Sequence, residues 1–503
     1  MNRKIIFVLF LSFMFGQSNP IDIATTGARQ LRMLGHMNVY HNPASLGYLT
    51  VSKKIDMFDN GEVEFIDSLD SEFSESFEQV EEADSNVVSE DAEFDDFEEN
   101  ESEEEIVFIE ENILSDSVKL DTAKSSSNFS MSIFNFSFGL GSGSITPDWI
   151  NNQLFGGKDL RNIEERKDFL SGISEDMNIQ VPLASALPVL NISFGSTVIG
   201  LGQIRSYTSI KIPSGLAQVP FKGIDKDEEL NINNLGIEHI TYLPVSFSKG
   251  FVLKPGFIPF GRKSYAGVRA NLLVGLAEVH TENVSGRLLG TNENTLIDAE
   301  IEMMASLPIS IDETIPKASI SFGVGLDLGL ITEVDDKLTV GVSIDNFIAS
   351  FNWTGATIYT GTVVGEIAPE DFSESDSLSN HLEQSEQKVT SDYKTKLPMS
   401  INFSGTYLAK DWVTLDGNIR LDVGDTYWAS KTPLISISSE FYPDSKVPLF
   451  FGISIGGHSG FVWGAGLSLK MGSVVMDIAG GQEGGLFNNA TGMRAGFGIR
   501  FEK

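Results

Sequence analysis

The chain of 503 residues contains no cysteine. That excludes disulfides, thiol nucleophiles, Cys-based zinc sites and a lipid-modified N-terminal cysteine. It also contains no run of 18 consecutive apolar residues, so no segment can cross a bilayer as a helix, which takes about 20. The apolar run Ile5–Phe15 is too short for that. It follows Asn2-Arg3-Lys4 and precedes the small-x-small triplet Gly16-Gln17-Ser18. Residues 1–18 are therefore expected to form a secretory signal peptide. Basic residues are scarce as well: 35 Lys and Arg stand against 70 Asp and Glu, a formal net charge of -35. That sign disfavours nucleic acid as a partner.

The scarcity is local. Between Asp56 and Ser117 there are 26 acidic residues and no Lys or Arg; outside that stretch the balance is 44 acidic to 35 basic. Self-repelling charge with few aliphatics cannot bury a core, so residues 51–127 are expected to be a disordered acidic insert. It could serve as a solvated linker, a weak buffer of divalent cations or a tether for a basic partner. It lacks the glycine-containing loop of spaced ligands that specific calcium binding requires.

What the chain does have is alternation. Ala318, Ile320, Phe322, Val324, Leu326, Leu328 and Leu330 interleave with Ser319, Ser321, Gly323, Gly325, Asp327 and Gly329. Near the C-terminus Met493, Ala495, Phe497, Ile499 and Phe501 interleave with Gly492, Arg494, Gly496, Gly498 and Arg500. Side chains on a strand point alternately to opposite faces. One face is therefore oily and the other nearly bare, which suits a barrel wall between lipid and lumen. A secreted sandwich would need bulk on both faces to fill its core.

From residue 128 onward the pattern predicts 14 strands, at about 128–141, 176–186, 189–212, 237–252, 264–281, 317–332, 337–352, 396–409, 411–424, 432–443, 447–456, 461–470, 473–480 and 491–501. Residues 282–316 could add an outer hairpin or two further strands, making 16. Residues 353–395 read as a very long acidic, Ser-rich loop. A phase shift near Ile133-Phe134 predicts a bulge. Residues 147–170, opened by Pro147 with Leu160, Ile163 and Leu170 at helical spacing, read as a helix in the first outer loop. Connections alternate short and long, which puts both ends of the strand region in the periplasm.

Catalysis finds no support. The histidines are His36, His41, His239, His280, His381 and His458, and none has zinc-like spacing with a partner acid. His458 and Ser459 are adjacent, so an extended chain points them apart, against the convergence a Ser-His-acid site requires. Gly141-Ser142-Gly143 lacks the strand–helix context of a phosphate loop. No catalytic residue, metal site or cofactor is expected. The charges expected to face the lumen are Asp327, Asp345, Asp416, Arg420, Asp422, Arg494 and Arg500.

Asn42-Pro43-Ala44-Ser45-Leu46-Gly47 stands just before the strand region. It resembles the NPA-x-LG motif of FadL-like outer-membrane proteins, and is most similar to the PorV-like branch and its relatives. Further similar blocks are Gly325-Leu326-Asp327-Leu328-Gly329-Leu330, Val342-Ser343-Ile344-Asp345-Asn346-Phe347, Glu440-Phe441-Tyr442-Pro443 and Leu449-Phe450-Phe451-Gly452-Ile453-Ser454-Ile455-Gly456-Gly457. The resemblance implies a 14-stranded all-β transmembrane barrel over residues 128–503. It implies that residues 19–50 fold back as a plug, with Asn42, Pro43, Ala44, Leu46 and Gly47 as its motif. Asn before Pro favours an extended or turn backbone, which agrees. Two departures stand out: the acidic insert separates motif from first strand, and the chain ends Phe501-Glu502-Lys503 rather than on an aromatic residue. The function implied is either passage of small apolar molecules across the outer membrane or a non-transporting scaffold for secretion or surface attachment. The implied partners are outer-membrane lipid, an apolar small molecule, or a secreted or surface protein.

Overall fold

Strands whose two faces differ this sharply have two environments to satisfy, and the chain satisfies both by closing on itself. The computed structural model is a closed antiparallel β-barrel of 14 strands. It describes residues 19–32, 37, 41–48, 129–141, 146–149, 151–152, 162–171, 177–185, 191–201, 204–306, 321–368, 382–424 and 429–502. The expectations of a signal peptide and of an acidic insert fall outside these residues.

The strands run in chain order around the wall. They are β1 (Phe129–Gly141), β2 (Met177–Ser185 and Asn191–Phe194), β3 (Thr197–Gly200 and Ile204–Ile212), β4 (Gly236–Val252) and β5 (Lys263–Gly290). Then come β6 (Thr295–Ser306 and Ser321–Glu333), β7 (Leu338–Ile367), β8 (Leu382–Lys396 and Met399–Lys410) and β9 (Val413–Val423). The wall finishes with β10 (Leu434–Phe441), β11 (Leu449–Gly456), β12 (Val462–Met471), β13 (Val474–Glu483) and β14 (Gly492–Glu502). β14 closes on β1 from Ser130↔Glu502 to Gly141↔Gly492, with the expected bulge between Ser132 and Phe134. Full closure leaves no open edge within the wall.

The faces sort as the alternation requires. On β6, Phe322 is 57% and Val324 61% exposed on the outside, while Asp327 on the inner face is 3% exposed. One end of the barrel carries both ends of the strand region and links no longer than 253–262; the other carries the longest connections, from β1 to β2 and from β3 to β4. At the short-turn end, the Asp335 carboxylate accepts the amides of Lys337 (2.7 Å) and Leu338 (2.8 Å). Those bonds hold it below the usual carboxylate range.

Three expectations are corrected. The second strand does not end at 186 with the third starting at 189: the chain reverses at Gly195-Ser196, where Gly195 adopts φ 54°. A two-residue hairpin needs such a backbone, which glycine provides cheaply. Residues 353–395 are not one long loop: β7 continues to Ile367 and β8 begins at Leu382, paired from Ser350↔Lys396 to Gly365↔Leu382. Polar composition reads as loop, but β-branched Ile358, Thr360, Thr362 and Val364 find a partner in Thr295–Ser306, and pairing overrides composition. The open choice between 14 and 16 strands closes at 14 because Thr295–Ser306 lies in line with Ser321–Glu333, both segments bridging β5 and β7.

The helix expected over 147–170 is described only as a turn at Pro147–Trp149 and a helix, α2, at Ile163–Ser171. β5 and β7, of 28 and 30 residues, far exceed the roughly 9–11 a bilayer crossing uses. The upright sheet they form beyond the barrel has its own core of Ile232, Val284, Leu288 and Ala299. Leu216 of the helix α3 (Ser214–Lys222) packs on it.

Candidate functional site

The bore of the barrel is where the two halves of the sequence argument meet. The N-terminal residues enter it as a short helix, α1 (Pro20–Thr25). Asn19 starts that helix, its side chain accepting the Asp22 amide at 3.0 Å. Thr26 and Gly27, with φ of 49° and 78°, end it. Its apolar side packs with Met37, Phe450 and Ala479 through Ile21, Ile23 and Ala24.

Glycines make room for this backbone. A Cβ on Gly452 would come within 2.5 Å of the Thr25 carbonyl carbon, and one on Gly466 within 2.8 Å of the Ala24 methyl. Beyond the helix, Arg29 and Arg32 both reach Glu440 of β10 at 2.9 Å. Arg29 also lies over the Phe450 ring, 5.2 Å from its centre. The Ser436 hydroxyl donates to the Thr26 carbonyl at 2.9 Å.

The Asn42–Gly47 turn rests on another part of the wall, β4 to β7. Asn42 Oδ1 accepts the Ala44 amide at 3.0 Å. Its amide nitrogen donates to the carbonyls of Val342 (3.1 Å) and Leu330 (3.3 Å). Asn42 thereby both shapes its own turn and binds the wall. Beneath the turn, Gly250, Gly267 and Gly329 face one another across three strands, paired Gly250↔Gly267 and Gly267↔Gly329. A Cβ on Gly250 or Gly267 would strike the backbone of residues 43–47, and one on Gly329 the side chains of Asn42 and Pro43. Ala44 and Leu46 are fully covered, Leu46 against Val198 of β3. A Cβ on Gly47 itself would sit 2.9 Å from the Phe251 carbonyl oxygen. Gly-x-Gly strands were read above as a bare lumen wall; their use here is close approach of a second backbone.

An ion cluster flanks this turn. Arg269 of β5 donates to Asp327 at 2.6 Å, to the His41 carbonyl at 2.9 Å and to Asp345 at 3.5 Å. Asp327 also accepts Asn271 (2.7 Å) and the amide of Asn346 (2.5 Å). Asn346 holds φ 56°, a conformation asparagine tolerates better than most. Asn402 donates to Asp345 at 2.8 Å.

Of the other charges expected to face the lumen, Asp416 accepts Thr406 at 2.6 Å. Asp422 accepts Ser400 at 2.7 Å and Arg420 at 2.8 Å. Arg494 binds Glu483 at 2.6 Å and Ser459 at 3.1 Å. Arg500 pairs with Asp477 and with Glu502. The structure thus brings Asp327 and Asp345 together at the Asn42 turn, with Asp416 near Arg29 and Arg32, and leaves Arg494 and Arg500 engaged in their own strand pairs. Ser459 answers Arg494 rather than His458.

Past the ion cluster, towards the long loops, the bore turns apolar. Ile240 and Tyr242 of β4, Leu273 of β5, Ala349, Phe351, Trp353 and Ala356 of β7 and Leu397 form one buried cluster, with Tyr207 and Tyr393 against it. Phe351 meets Tyr242 edge-on at 5.4 Å and Trp353 at 5.6 Å. β1 pairs with β2 at Phe136↔Ser185 and again at Met131↔Ile192, and β3 pairs with β4 at Gly200↔Ser246 and at Arg205↔Tyr242.

Five residues that matter here escaped the sequence reading: Arg29, Arg32, Arg269, Glu278 and Glu440. Arg269 and Glu440 were findable, since they stand in phase with Gly267 and Asn271, and with Ser436 and Ser438. Glu278 was not. Inward residues of β5 are odd-numbered up to Gly275, but Tyr242 pairs Gly275 while Thr241 pairs Ala277. The bulge at Leu276 rotates Glu278 from the outer face to the inner one.

The family described as Family of unknown function (DUF5723) matches residues 122–479. No curated protein matches the chain in sequence. Among solved structures, the "P. putida toluene transporter TodX" is similar at 10% identity and a TM-score of 0.39, covering 74% of this chain and 87% of that one. A TodX mutant titled "monoaromatic hydrocarbon channel" gives 9% and 0.38, over 75% and 89%. A Pseudomonas aeruginosa FadL homologue gives 9% and 0.30, over 97% and 99%.

Proposed function

Since the chain belongs to the DUF5723 family, whose function is open, we propose one from the geometry: an outer-membrane barrel, plugged by residues 19–48, that passes small apolar molecules. The observation that carries this reading is the buried aromatic cluster, which faces the bore between the ion cluster and the long loops. A channel for water-soluble solutes keeps a polar bore, whereas an apolar solute gains from aromatic walls. Long loops would face outward and the short turns the periplasm. Transport of an apolar probe tests it. Toluene uptake by cells that make the protein should exceed uptake by cells that lack it. Equal uptake with and without the protein refutes the reading.

A second reading has its own support. The upright sheet of β5–β8 with α3 packed on it is an ordered structure beyond the membrane, as a scaffold for protein partners would have. Recovery of a specific surface protein with the purified barrel, together with absent toluene uptake, would favour it.

A further inference from the structure

We propose that the bore is closed a second time, on the long-loop side of the N-terminal segment, by the aromatic cluster, and that Glu278 is the positioning residue that latches this closure. The inference concerns what seals the bore and does not depend on what passes through it.

The cluster packs on itself as well as lining the wall. It draws side chains from β4, β5, β7 and the link within β8, and they meet one another instead of facing open space: Phe351 and Trp353 are both 0% exposed. Trp353, on β7, reaches past β6 to β5, where a Cβ on Gly275 would lie 2.6 Å from its ring. That glycine is the recess into which the indole fits.

The latch is a chord across the wall. Glu278 on β5 accepts hydrogen bonds from the hydroxyls of Tyr393 (2.9 Å) and Thr395 (2.7 Å), which stand on β8. β5 and β8 are not neighbours, because β6 and β7 run between them. Thr395 in turn accepts the Trp353 indole N–H at 3.1 Å. His280 Nδ1 lies 3.4 Å from the same carboxylate. One fully buried carboxylate therefore ties three strands and the central aromatic ring together. Hydrogen bonds to a buried charge are among the stronger ones, and each loss leaves that charge less satisfied.

The ladder shows that this closure is separate from the first. Along β6, Gly323 pairs Leu273 at the cluster, Gly325 pairs Asn271, Asp327 pairs Arg269 at the ion cluster, and Gly329 pairs Gly267 under the Asn42 turn. Gly325, which also pairs Ala349 of the cluster, thus stands at the inner edge of the cluster, where it meets the ion cluster. Opening either one alone admits a solute as far as Gly325 and no further.

The absence of native cysteine makes the test clean. Gly325→Cys places a sole thiol in the full chain, and its Cβ would meet only side-chain atoms, Asn271 Cβ at 3.3 Å first. A small membrane-impermeant methanethiosulfonate is added to whole cells, with Glu293→Cys, exposed in the turn between β5 and β6, as the measure of unhindered labelling. Gly325→Cys should label slowly in the otherwise unchanged chain. Glu278→Ala, Trp353→Ala and the volume-sparing Tyr393→Phe should each speed it, Glu278→Ala by at least about tenfold, the worth of one charged buried hydrogen bond. Heat-modifiable migration on gels checks that each variant assembles, and Tyr393→Phe reads the latch if the truncations do not. Fast labelling in the unchanged chain, or no acceleration in the variants that assemble, overturns the proposal. Absent toluene uptake with this labelling pattern intact would strike the transport reading alone.

Discussion

Gly267→Val tests whether the glycine row is a seat for the N-terminal segment. Gly267 is the middle of that row, and an added Cβ meets the Pro43 carbonyl and the Ala44 amide well inside van der Waals contact. Both obstacles are backbone, so neither can swing aside, and the Asn42–Gly47 turn must lift. Lifting gives up the bonds from Asn42 to Val342 and Leu330, worth about 1 kcal/mol each. It also uncovers Leu46, now 2% exposed, at about 2 kcal/mol. The local loss is therefore about 4 kcal/mol, enough to shift the turn from docked towards undocked. The barrel itself should still form, because Gly267 faces the bore and keeps its strand partners. Trypsin gives the readout. Arg29, 8% exposed and paired with Glu440, should resist cleavage in the parent and be cut readily in the variant, with the strand region intact. Gly325→Ala, an inward glycine with only side chains near its Cβ, is the control. An assembled Gly267→Val barrel whose Arg29 stays protected, or equal release by the control, refutes the seat.

Two further outcomes follow from the same geometry. Val324→Arg, on the outer face, should cost about 2–4 kcal/mol near the bilayer midplane while Gly325→Ser, one residue away and inward, is mild; folding yields in lipid vesicles decide, and the reverse order would mean the faces are assigned wrongly. Glu440→Gln leaves two guanidinium groups without their shared carboxylate in a buried setting, a loss of about 3–5 kcal/mol, so it should lower the denaturation midpoint and expose Arg29 to trypsin, and an unchanged midpoint would show that the pair contributes nothing.

The wall was legible because its rule is local. Each lipid-facing residue such as Val324 or Ile437 must be apolar whatever stands beyond it, so a period of two survives in the sequence and can be counted. Turns were not legible where a partner strand chose the reversal, as at Gly195-Ser196. The bore obeys no such rule. Gly250, Gly267 and Gly329 are far apart in sequence and look alike as small residues; only the register lines them up under one turn. Arg29 and Glu440 are paired across some 400 residues by closure alone.

By itself the sequence determined that this chain forms a barrel, because alternation, glycine content and the lack of any helical span leave few other ways to satisfy both faces. It also determined how many strands the regular wall holds, up to the one stretch where a hairpin and two extra strands look alike. Only the tertiary structure decided what fills the bore. A bulge of one residue at Leu276 turned Glu278 inward, registers set glycine beside glycine, and β5 and β7 outran the membrane because strands distant in sequence met there. Each of these depends on which residues of different strands come face to face, and a pattern of period two records the face of a residue without recording its neighbour across the sheet.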